Sequence, residues 1–144
     1  MNNTDIKTLQ KEYWENLTNE IIDNYPEFNP RRPDRNAYYL PLGSNIAHIS
    51  MKINSVKNIQ ECKIVMTDKE LFNYLKEYEE NIDDDFGFPL KWDEKTGVES
   101  HITMSHDFDI RNKDEWNMAI EWHLDNASKL HLIFSALLKD YLSK

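Results

Sequence analysis

The stretch Asn112–Leu142, NKDEWNMAIEWHLDNASKLHLIFSALLKDYL, decides how the rest of the chain can be arranged. Within it Trp116, Ile120, His123, Ala127, Leu130, Phe134, Leu137 and Tyr141 recur at alternating steps of four and three. That spacing places them on one face of a single long helix. Asn112 is the expected N-cap, and Asp114 and Glu115 suit the positive end of the helix dipole. Every member of the stripe is apolar or small except His123, which is expected to be buried and held by a hydrogen bond. A helix with such a stripe needs a surface to lie on.

The upstream sequence supplies a sheet. In Asn45–Asn54, Ala47, Ile49, Met51 and Ile53 alternate with His48, Ser50 and Lys52, the period of a half-buried strand. Ala37–Leu42 precedes it across Gly43-Ser44, and Ile59–Met66 follows the polar turn Ser55–Asn58, so three strands form an antiparallel meander. Before the meander, Ile6, Leu9, Tyr13, Leu17 and Ile21 define a first helix over residues 4–24, flanked by Trp14 and Ile22 and ended by Tyr25-Pro26. After the meander, Thr67-Asp68-Lys69-Glu70 reads as a capping box that opens a second helix reaching Gly87. Phe88–Asp93 and Val98–His106 read as two further strands. The expected fold is α+β in the order α-βββ-α-ββ-α. Its five-stranded, mostly antiparallel sheet carries the first and last helices on one face, toward which the odd-numbered residues of the second strand point.

The 144 residues suit one domain able to bury a core without disulfides, and a hydrophobic content of 40% excludes a disordered chain. The net charge of −9 argues against nucleic acid as the first partner to consider. One cysteine, Cys62, fits a reducing cytoplasm. Neither a signal-peptide pattern nor a membrane-length apolar run is visible.

These residues resemble the prokaryotic domain-of-unknown-function family numbered 4268. The resemblance is carried by Tyr13-Trp14 and Leu17, Tyr39-Leu40-Pro41-Leu42-Gly43, Phe72, Leu75 and Ile82, Leu90-Lys91-Trp92-Asp93, His101-Ile102, Glu115-Trp116, Trp122 and Phe134. His101 departs from the pattern, since an arginine is usual there. The resemblance implies a compact accessory or binding domain, in some relatives joined to nuclease-like or restriction-related modules. It supplies no catalytic residue.

Five groups of side chains invite a chemical reading. Arg31, Arg32 and Arg35, three of the four arginines, sit among prolines and can form bidentate contacts with phosphate or carboxylate. Glu77, Glu79, Glu80, Asp83, Asp84 and Asp85 crowd the end of the second helix and read as a solvated acidic end. Glu61 and Lys63, two apart on one strand with Asp34 upstream, match the loose pattern of a metal-dependent nuclease. His48 and His101 share the polar phase of their strands and could share a metal if those strands are neighbours. Trp116, Trp122 and His123 crowd the first half of the long helix and mark the expected pocket or interface. No Ser-His-Asp order or glycine-rich phosphate loop accompanies them. The leading expectation is a non-enzymatic protein-binding or accessory domain, or a homo-oligomer, with no cofactor and no membrane. A nuclease-like domain and a small-anion or nucleotide-binding domain are the alternatives.

Overall fold

The computed structural model describes residues 3–28, 37–94 and 98–144. The chain runs α1 (Asn3–Asn24), β1 (Ala37–Ser44), β2 (Ala47–Asn54), β3 (Ile59–Met66), α2 (Lys69–Lys76), α3 (Glu79–Phe86), β4 (Lys91–Asp93), β5 (Ser100–Asp107) and α4 (Trp116–Leu142). A 3-10 turn, Lys113–Glu115, leads into α4. All strand pairs are antiparallel, in the order β1-β2-β3-β5-β4. The expected α+β class and element order hold.

Register explains which side chains reach the core. Ile49 lies opposite Leu40 and Ile64, and Ile64 lies opposite Ile102. One face of the sheet therefore carries Tyr38 and Leu40, the odd residues of β2 from Ala47 to Ile53, and the even residues of β3 and β5. Every described helix contributes buried apolar residues to one continuous cluster with these positions. Tyr13, Trp14, Leu17 and Ile21 enter it from α1, and Ile120, Leu124, Ala127, Leu130, Phe134 and Leu138 from α4. Full burial of an aliphatic or aromatic side chain of this size contributes about 1.5–3 kcal/mol each, so the α1–α4–sheet sandwich dominates the hydrophobic stabilisation.

Several boundaries differ from the sequence expectation: β1 runs on through Gly43-Ser44, so the turn falls at Asn45-Ile46 and β2 begins at Ala47, and β5 spans Ser100–Asp107 rather than Val98–His106. Four further differences have a local reason. The second helix is two short helices, because the chain turns at Glu77-Tyr78 before α3 begins. Its N-cap is Asp68 rather than Thr67. The Asp68 carboxylate accepts from the N–H groups of Glu70 and Leu71 at 2.9 and 3.2 Å, whereas the Thr67 N–H is donated to the Ile46 carbonyl. Asn112 caps the 3-10 turn by accepting from Asp114 N–H, and α4 follows only at Trp116. The fourth strand is three residues long instead of six. Lys91 and Asp93 turn their backbone groups toward β5; Pro89, the next residue in that phase, has no N–H to give, so pairing starts only at Lys91, while Leu90 turns its N–H away from β5 to Asp83 Oδ1 at 3.0 Å. The stripe on α4 also drifts at its end: Leu138 is buried, while Leu137 and Tyr141 are only partly so.

Candidate functional site

Beneath the first half of α4 lies a closed polar cluster built from three layers. His123 comes from α4, Tyr13 from α1, and Gln60 from β3; His123, Tyr13 and Gln60 are all 0% exposed. His123 Nε2 lies 3.2 Å from the Lys52 carbonyl and 3.1 Å from the Glu61 carbonyl. Carbonyl oxygens only accept, so Nε2 carries the hydrogen and Nδ1 is the acceptor of a neutral ring. The Tyr13 hydroxyl donates to that Nδ1 at 2.6 Å, and the Gln60 amide nitrogen approaches it at 3.2 Å. The same amide donates to the Ala119 carbonyl at 3.0 Å, and its oxygen accepts from His106 Nδ1 at 2.9 Å. All the polar atoms of these rings and of the amide that face the core are thereby paired, as burial requires.

Burial pushes the pKa of His123 down to about 3; its backbone acceptors pull the other way and the neighbouring His106 adds to the lowering. Burial also raises the Tyr13 hydroxyl well above its ordinary value. The imidazole is thus a neutral structural connector at physiological pH. An aromatic layer seals it: Trp14 and Tyr13 lie 5.7 and 5.8 Å from the His123 ring, and Trp116 and Phe108 close on Tyr13 at 5.6 and 5.5 Å.

The cluster reaches the surface at one end. His106 stacks on Trp122 with ring centres 5.3 Å apart and planes 19° from parallel. Of the three expected interface residues, Trp116 is 5% exposed and donates its indole N–H to the Ile110 carbonyl at 2.8 Å, and His123 is fully buried. Trp122 alone is partly exposed. Sequence reasoning missed Gln60, Tyr13 and His106 as members of this cluster. The available signal was Gln60 itself, a polar side chain in the same strand phase as Cys62, Ile64 and Met66.

The opposite face of the sheet holds the other candidates. Glu61 and Lys63 share that face of β3, but Asp34 lies outside the described residues, as do Arg31, Arg32 and Arg35. His48 and His101 are not on neighbouring strands. Both lie opposite Val65, so β3 separates them by two strand spacings, about 9–10 Å. Among the described residues no group of three or more His, Cys, Asp or Glu side chains is placed to hold a metal ion. Cys62 is buried, which pushes its thiol pKa up. In the acidic run, Asp83 accepts from Leu90 N–H and, at 3.3 Å, from the Trp92 indole, and Glu79 pairs with Lys76 at 2.9 Å. Among the described residues no helix is long and apolar enough to cross a membrane.

No curated protein and no solved structure matches this chain. The profile of one family, described as "Domain of unknown function (DUF4268)", matches residues 9–138. That span runs from α1 through β5 to the last turns of α4, including every residue of the polar cluster. The chain therefore belongs to the DUF4268 family.

Proposed function

We propose that this chain is a protein-binding or accessory domain with no catalytic chemistry of its own. The observation that carries the reading is how its polar groups are distributed. Among the described residues, the one assembly of histidine, tyrosine and amide that resembles chemical machinery is closed to solvent, with His123 and Gln60 at 0% exposure. A reactant cannot touch His123. What meets solvent above it is a stacked His106–Trp122 pair, beside Met118 at 71% exposure. Partly buried tryptophan beside exposed apolar area is a common composition of interface anchors.

An accessory role in genome-defence or DNA-processing systems belongs to the same proposal and rests on the family resemblance. Co-purification from the native host tests it. We expect a stoichiometric partner, or a second copy of the chain, that is retained by the wild type and lost with Trp122→Ala. Recovery of no partner together with measurable turnover of DNA by the purified chain would sink the reading.

A further inference from the structure

We propose that the free half of the outer edge of β5, Met104–Asp107, accepts an extended cationic peptide segment as an added strand. The inference rests on the protein-binding reading above and names its site and its kind of partner.

Among the described residues the sheet has three places where a strand lacks a neighbour. Along β1, Pro41 removes a donor and an irregularity between Pro41 and Ser44 breaks the register, both of which blunt an edge. The border strand β4 offers only three residues. The third place is unusual because it lies on an inner strand. β3 pairs with β5 along its full length, from Ser100 to Asp107, whereas β4 pairs only with His101–Thr103. Beyond Thr103, alternate residues of β5 direct both N–H and C=O away from β3, with no strand among the described residues to receive them. Ser105, His106 and Asp107 are all exposed. The stretch contains neither proline nor lysine, the usual means of protecting an edge.

The character of the gap selects its occupant. Unpaired backbone donors and acceptors in strand geometry are matched by another extended backbone. The covalent chain does not fill the gap: Pro89, which falls opposite Ser105, has no N–H to give, and the segment ahead of Lys91 turns aside as a loop. Acidic groups lie on the β4 side of the gap, with Arg111 beyond its far end, held by Asn58 and Asp109. Asp107 ends the edge, and a groove lined by Glu80, Asp83, Asp84, Gly87, Phe88 and Pro89 borders the segment that turns aside. No lysine or arginine lines that groove among the described residues. On the helix-bearing face, Trp122 stacked on His106 provides an apolar wall for side chains of one phase of the incoming strand. A strand rich in lysine or arginine thus meets complementary backbone and complementary charge.

Hydrogen exchange of the full chain tests this, with a short alternating Lys–Val peptide as probe. Two controls accompany it: a Glu–Val peptide of equal length, and the Lys–Val peptide N-methylated at alternate residues. We expect slowed amide exchange at Ser105 and Asp107, the two residues of this stretch that direct their N–H away from β3, with the Lys–Val peptide. Binding should weaken by more than about tenfold with the Glu–Val peptide or with Glu80→Lys/Asp84→Lys, and should vanish on N-methylation. Binding indifferent to N-methylation, protection falling along β1 instead, or binding by none of the peptides would each overturn strand addition. A host partner that binds through Trp122 while Met104–Asp107 stays unprotected overturns it too, yet leaves the protein-binding reading intact.

Discussion

The two halves of α4 bury their inward faces by different physics. From Leu130 to Leu138 the buried side chains are Leu130, Phe134 and Leu138, all apolar, and the requirement there is volume. From Trp116 to Ala127 the same helix buries His123, and the requirement is a set of matched partners: two sheet carbonyls, a tyrosine hydroxyl and a glutamine amide. Apolar contacts are non-directional and tolerate repacking, whereas a buried hydrogen-bond set is costly once one member is lost. The first half of α4 should therefore fix the position of the helix on the sheet, and the second half should supply adaptable adhesion.

Like-sized substitutions in each half give the largest contrast. His123→Leu leaves the Tyr13 hydroxyl without its acceptor and Gln60 with an incomplete set, so urea denaturation should show a loss of about 2–5 kcal/mol. Leu130→Met keeps volume and polarity and should cost less than about 1.5 kcal/mol. Equal losses would erase the distinction between the halves.

Acid offers a second way to separate them. The folded state holds His123 neutral with a pKa near about 3, while in the unfolded chain a histidine takes up a proton below about 6.5. Unfolding thus binds a proton in that window, and stability falls as pH drops from about 6.5 toward 3. The slope due to this one group approaches 1.4 kcal/mol per pH unit, about the limit for a single proton. Stability of the wild type and of His123→Gln, followed from pH 7 to about pH 4, should converge as the pH is lowered; parallel curves would contradict a neutral buried imidazole.

A smaller effect comes from Tyr13→Phe, which keeps the ring and removes only the donor to His123 Nδ1. A loss of about 1–2 kcal/mol is expected. In a double-mutant cycle with His123→Leu the two losses should fail to add by more than about 0.5 kcal/mol. The smallest effect should come from the surface of the same region. Lys113 pairs with Glu12 at 2.5 Å, but the two side chains are 56% and 44% exposed. Lys113→Ala should cost less than about 1 kcal/mol, and added salt should shrink the difference.

Much of this architecture was legible in the sequence because it is written as period. The strict alternation of Ala47–Ile53 and the four-and-three spacing from Trp116 to Phe134 each answer to one geometry. The errors fall where a single side chain redirects the backbone. Pro89 withholds an N–H at the one place where it falls opposite Ser105, and Asp68 outcompetes Thr67 for the cap. Such choices depend on which groups meet in space, and spacing along the chain does not encode them. The candidate site divides in the same way. His123 stood out as a polar residue in an apolar stripe, but its partners come from positions 110 and 63 residues away in the chain. The split of His48 from His101 likewise follows from β3 lying between their strands, a matter of strand order rather than of pattern.

Pro89 has a consequence that reaches past its own position. It is exposed and lies outside every strand, yet by lacking an N–H opposite Ser105 it limits how many residues of β4 join the sheet. The length of the sheet's border and the composition of the core are therefore set by different residues. A border of this kind can be lengthened or shortened while the packed interior stays as it is, so adhesion and folding stability are free to vary separately.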